Sequence, residues 1–274
     1  MPGKFLVLAS FISIYLFMPL VNAACESIIS LEEKHQAVDK VTLGGIGVVT
    51  LWGVYNWNYF NQSPHAQREG WFGSDTEIGG ADKLGHVYST YLTAQGISML
   101  YEKWCFSREQ AATYGAITSL VILSYMELGD SFSDYGFSYE DFIANTLGSP
   151  ASYYLYQRPA LSRKLDLRWG YGFNPQKSDF LTDYENSRYL LALKLGGFDS
   201  MRNSGLKHIE IHLGYYSRGF SDSTESNKRN AYFGIGLNLT DLFQRNGYTR
   251  TATFFKYYQP PKIYLEKNHE LKNN

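Results

Sequence analysis

Four side chains between residues 86 and 141 are of kinds that move protons or hold cations: His86, Glu127, Asp130 and Asp141. A second polar set accompanies them: Asp82, Lys83, Asp134, Ser138 and Asn145. The spacing is helical. Asp82 and His86 form an i,i+4 pair, as do Asp141 and Asn145, so each pair shares one helix face. Glu127 and Asp130 form an i,i+3 pair. A histidine oriented by a carboxylate can act as a general base near neutral pH. Carboxylates with a histidine can also ligate a divalent cation. Burial among apolar helices raises carboxylate pKa values, as catalytic acids require. His86, Glu127, Asp130 and Asp141 are therefore the candidate catalytic residues, and the second set is their polar support.

Each residue also has a structural reading. Asp82 follows Gly79-Gly80-Ala81 and suits a helix N-cap. Asp141 suits a capping box opened by Ser138. Asn145 suits a buried hydrogen-bonding position, and Lys83 a solvated partner for Asp82 or Glu127. Glu127 is the hardest to read this way. It ends an apolar run, where an ionised group needs a partner.

Three segments must position these groups. Ala81 to Trp104 reads as a helix. Ser107-Arg-Glu-Gln110 is a capping box for a second, whose body, Ala111 to Met126, is a core helix or a short membrane span. Ser138 caps a third, ending near Tyr156 before Pro159. The turn at residues 105–107 makes the first two antiparallel, which sets Asp82 and His86 beside Glu127. A short loop returns the third helix to the same end with Asp141 and Asn145, and Asp134 in that loop closes over the top. Ahead of them, Asn61 to Gly80 is a loop by composition. Val41 to Trp57 is apolar, glycine-rich and uncharged, either a span at the lower length limit or a buried helix.

Residues 1–24 read as an export signal, with Lys4, an apolar Phe5–Val21 segment and small residues before Cys25. A retained membrane anchor is the alternative. Cys25 is a candidate lipidation site, although Asn22 stands where a lipoprotein signal usually has an aliphatic residue. Cys105 is the only other cysteine, either a disulfide partner for Cys25 or an inert buried thiol. Residues 25–40 read as a linker or short helix. The net charge of −1 argues against a nucleic-acid surface. The 23 Tyr, 17 Phe and 5 Trp suit a membrane interface or lipid and glycan contacts, as well as an ordinary core. HExxH, CxxC, GxSxG and P-loop motifs are absent, so no metal or cofactor is specified.

After Pro159 the period changes to that of strands: Leu165 to Tyr171, Tyr189 to Leu195, His208 to Tyr216, Ala231 to Asn238 and Thr249 to Tyr257. Ile209-Glu210-Ile211-His212-Leu213 alternates cleanly, which predicts one wet face. Five strands are fewer than the roughly eight of a closed membrane barrel. Residues 259–274 read as a flexible tail.

The ordered run Asp82-Lys83-x-Gly85-His86, Glu127-x-x-Asp130 and Gly136-x-Ser138-x-x-Asp141-x-x-x-Asn145-x-x-Gly148 resembles the YfiM-like family of predicted periplasmic lipoproteins, over roughly residues 41–160. More distantly it is similar to VanZ-like membrane proteins, which share an Asp-Lys-x-x-His helix and a later Asp-x-x-x-Asn-x-x-Gly helix. The resemblance implies an envelope location and a shared polar site, and it names no reaction.

The expected fold is α+β: an antiparallel helical bundle at 41–160 followed by a small, β-rich, aromatic extension at 161–258. The expected role is structural or ligand-binding at the periplasmic face of a membrane. The alternative is an envelope hydrolase or metal-dependent enzyme using the His/Glu/Asp cluster. Oligomeric state is not legible.

Overall fold

The computed structural model describes residues 30–172, 179–220 and 226–272. The export signal and Cys25 lie outside the described residues.

Ser30 caps the first helix, α1 (Leu31–Asn56): its hydroxyl accepts from the Glu33 N–H, and the Glu33 carboxylate accepts from the Ser30 N–H. Much of the expected linker is thus helical. Three further helices complete a bundle, α2 (Ala81–Lys103), α3 (Arg108–Asp130) and α4 (Tyr139–Gln157). The capping box at Ser107 and Gln110 forms as expected. Cys105, in the α2–α3 turn, has φ 63° and is disulfide-bonded, not an inert buried thiol. α1 runs parallel to α3. Lys34 Nζ donates to Gln110 Oε1 (3.0 Å) near their starts, and the Tyr59 hydroxyl donates to Met126 O (3.0 Å) near their ends.

Beside an apolar core of Ile97, Tyr101, Phe106, Ile122 and Leu123, the bundle buries many polar side chains and leaves large apolar ones outside. Thr90, Gln95, Thr118, Ser119, Asn145 and Ser152 are buried, while Leu43, Leu51, Ile117, Val121, Leu128 and Leu147 are exposed. The interior is wired by hydrogen bonds. The Ser119 hydroxyl donates to Thr90 O (2.8 Å), and Gln95 Nε2 donates to Ser152 O (3.0 Å). Charges collect at the two ends. Residues 41–56, 87–101, 111–126 and 142–157 carry none. α1 and α3 are long and apolar enough to cross a membrane.

After the one-turn α5 (Pro159–Ser162) comes an antiparallel sheet in strand order β1-β2-β3-β4-β5. Its strands are β1 (Leu165–Tyr171), β2 (Ser187–Lys194), β3 (Ile209–Arg218), β4 (Lys228–Leu237) and β5 (Tyr264–Glu270). Two expectations fail here. Thr249–Tyr257 is a helix, α7, which follows α6 (Leu239–Arg245) between β4 and β5. Its alternating Thr and Phe residues looked strand-like, but packing decides. Phe255 stacks on Phe243 of α6, and the Tyr257 hydroxyl donates to Gln95 Oε1 (3.2 Å) in the bundle. The last strand instead forms in the expected flexible tail. It carries Glu266, Lys267 and Glu270, is mostly exposed, and is held by backbone pairing to β4. The sheet joins the bundle through Tyr88, Tyr91, Leu155, Tyr189 and Tyr257.

Candidate functional site

Lys83 is the centre of the site. It lies in the first turn of α2, whose N-cap is Gly80 in the left-handed region (φ 81°). Asp82 is therefore not the cap: its carboxylate lies 2.6 Å from Lys83 Nζ. Two more carboxylates converge on the same nitrogen, Asp141 at 2.8 Å and Glu69. Lys83 is 2% exposed, so the solvated-partner reading fails.

One turn further along α2, His86 Nδ1 lies 3.2 Å from Glu127 Oε1, and its Nε2 lies 3.6 Å from Asp141 Oδ1. Asn145 Nδ2 donates to the same Glu127 oxygen (3.0 Å) and to Leu123 O (3.3 Å). Asn145 Oδ1 accepts from the Thr90 hydroxyl (2.9 Å). Asp82, Lys83, His86, Glu127, Asp141 and Asn145 thus meet at one end of the bundle, where the antiparallel register puts them. Ser138 caps α4 by accepting from the Asp141 N–H (3.2 Å), while the Asp141 carboxylate faces Lys83 and His86.

α3 persists to Asp130, which lies part-buried next to the cluster and is coupled electrostatically to Glu127, His86 and Asp141, with Tyr59 beside it. One expected member stands aside. Asp134 does not close over the cluster. It sits in the exposed turn and accepts from Asn58 Nδ2 and Gln62 Nε2, each at 3.0 Å.

Glu69 was missed. It belongs to a loop without periodicity, so nothing in its spacing ties it to Lys83. The loop is sewn onto the bundle by backbone bonds between His65, Gln67 and Phe137 (both 2.9 Å). Glu140, fully buried and also missed, helps by accepting from the Gly70 N–H (3.1 Å).

The charges set one another. Burial opposes ionisation of His86, but Asp141 and Glu127 outweigh it and lift the pKa to about 10. Burial likewise opposes the Lys83 charge, and Asp82, Asp141 and Glu69 overcome it, raising its pKa. Asp141 is lowered, burial being outweighed by His86 and Lys83. Glu69 is pushed up to about 8 by burial and Asp141, against the pull of Lys83. Asp130 rises to about 7, mainly through burial and then Glu127.

Two expectations change as a result. Asp141 and Glu127 favour the imidazolium form of His86, which opposes a general-base role at neutral pH. The carboxylates of Glu69, Asp82 and Asp141 bring oxygens within 4.8 Å of one another, a spacing that suits a cation, but the Lys83 ammonium already occupies their centre. Two groups stand near neutrality, Asp130 and Glu69, and Glu69 lies beside ionised Asp141. Glu69 also lines a cavity of about 290 Å³ with Trp57, Asn58, Gln67, Glu77, Asp134 and Tyr135, so it links that cavity to the buried cluster.

Fold and site together define an α+β protein with a charge-compensated polar cluster inside an externally apolar helical bundle. Residues 68–157 match the model of a family described as predicted periplasmic lipoprotein (DUF2279), which supports an exported envelope protein of unknown role. No curated protein and no solved structure matches the chain.

Proposed function

We propose that this is an exported envelope protein that sits in lipid through the outside of its helical bundle and binds a polar ligand at the cluster end. The observation that carries the reading is the union of cavity and cluster at Glu69. The cavity offers carboxylates (Glu69, Glu77, Asp134), amides (Asn58, Gln67) and aromatic rings (Trp57, Tyr135). That set suits hydroxyl or ammonium groups, the chemistry shared by lipid head groups and envelope glycans. Membrane residence is supported by the large apolar side chains outside the bundle and by its uncharged bands of 15 to 16 residues, roughly 22–24 Å of helix. That length is close to the apolar height of about 25 Å in the outer membrane, so we place the protein there. Export by a signal at residues 1–24 belongs to the same reading.

The test is extraction from membranes in mild detergent, followed by mass spectrometry of bound lipid and glycan and by metal analysis. A head-group- or sugar-bearing molecule retained by the native protein and lost in Glu77→Gln supports the proposal. An empty native protein that also fails to take up phosphatidylethanolamine or glycan fragments overturns it. A stoichiometric metal lost on Asp82→Asn would instead favour the metal-dependent enzyme.

A further inference from the structure

The sheet, like the bundle, buries polar side chains and leaves large apolar ones outside. Glu210 and His212 of β3 are fully buried, whereas Leu213 on the other face is 56% exposed. The wet face expected from their alternation is thus the apolar one. Beneath it, Arg168 makes a two-pronged contact with Glu210 (2.6 and 2.9 Å) and a third bond to Asp166 (3.0 Å). Lys194 donates to the same aspartate (2.6 Å), and His212 Nε2 lies 2.8 Å from Glu210. Above it, Leu213 pairs with Phe233 and Ile235 with Leu265, and Leu237 extends the row. All five are exposed, Leu265 by 82%. A sheet half-covered in water places these residues the other way round. Apolar side chains outward and ions inward is the arrangement of a sheet in lipid.

We propose that the outward face of β3–β5 is a lipid-contacting surface, seated among acyl chains beside the bundle. Two further observations select lipid as the occupant. The face runs on from the seam with the helices: on β1, Leu165, Leu167 and Trp169 of this face pack on buried Tyr88 and Leu155, and beyond that seam the rows of β3–β5 are left uncovered. On the edge strand of this face an exposed lysine, Lys267, follows Leu265 at the next alternate position of β5. A lysine at the edge of an apolar surface reaches the phosphate layer while its stem stays in lipid. The inference rests on the membrane reading above and adds that the β-rich part shares the bilayer.

The test is site-directed spin labelling of the full chain in phosphatidylethanolamine/phosphatidylglycerol vesicles. Labels go on Ile235→Cys and Leu265→Cys in the sheet and on Ile117→Cys in α3, with Phe233→Cys as replacement for a variant that fails to fold. The expected result is that oxygen relaxes all three labels more strongly than a water-soluble nickel chelate. Oxygen dominance at 117 with chelate dominance at 235 and 265 overturns the sheet proposal and leaves the membrane reading intact. Chelate dominance at all three overturns both. Shielding of 235 and 265 from both reagents means that protein covers the face, a second copy first among the candidates, and overturns lipid as the occupant.

Discussion

Replacing Lys83 by Met removes the cation while keeping an apolar stem of similar length. The ammonium serves three carboxylates, and its side chain is 3% exposed. At pH 8 Glu69 stands at its pKa of about 8 and, once the pull of Lys83 is gone, takes up a proton, while Asp141 retains His86. The loss is therefore that of one buried ion pair broken from one side, about 3–5 kcal/mol. For a chain of this size, each kcal/mol moves the melting temperature by roughly 2–4 °C. Lys83→Met should then melt about 6–20 °C below the native protein at pH 8, followed by circular dichroism in detergent. Acid should narrow the gap, because orphaned carboxylates can take up protons, and Lys83→Met with Asp141→Asn should recover part of the loss. A melting difference under about 2 °C at pH 8, or one that does not shrink by pH 5, would refute the central role given to Lys83.

Glu69 has a folded pKa of about 8 against an ordinary 4.5. The folded state thus binds the extra proton, and stability declines as pH rises from 4.5 through 8; Glu69→Gln should flatten that slope in denaturant titrations, and an unchanged slope would reject the protonated carboxyl. His86, raised to about 10 from 6.5, contributes stability that is complete below 6.5 and lost as pH climbs through 10. A double-mutant cycle of His86→Ala and Glu127→Gln at pH 7 should show a coupling well above zero, and a zero coupling would separate the two residues. N-terminal mass spectrometry of the envelope fraction should find a start at Ala24 or Cys25, and an intact Met1 would defeat cleavage and favour a retained anchor. A diacylglyceryl mass on Cys25 would decide for lipidation.

How much of this was legible follows from what each residue depends on. The meeting of His86, Glu127, Asp141 and Asn145 depends on helix period and one turn at Cys105, both local properties, and the structure agrees. Lys83 could not be assigned from position alone. A lysine in a first turn is ordinarily solvated, and only Glu69, brought over by the 57–80 loop, completes its shell. Asp134 was over-read for the opposite reason, since its loop turns the carboxylate outward to Asn58 and Gln62. The β5 strand has almost no side-chain signature, because its stability comes from backbone pairing to β4. Thr249–Tyr257 has a strand-like signature that contacts with α6 and the bundle override.

The deeper difficulty is one of sign. Alternation along β3 and amphipathicity along the helices are visible in the sequence, but a period says only that two faces differ. It does not say which one is inside. The usual assignment puts leucine in and glutamate out, and it holds only where water is the solvent outside. Pairing decides the matter here. Glu210 is met by Arg168 and His212, Asp166 by Arg168 and Lys194, and Glu127 by His86 and Asn145. Each acid has its partner on an inward face of another element or an alternate position of its own strand, so the charges satisfy one another without solvent. Leu213, Ile235, Leu265, Leu51 and Ile117 have no such partners and remain outside. Both halves of the chain, one helical and one β, reach the same arrangement by unrelated periodicities. Under the lipid reading proposed above, a single apolar surroundings accounts for both, whereas separate protein partners would require two independent explanations.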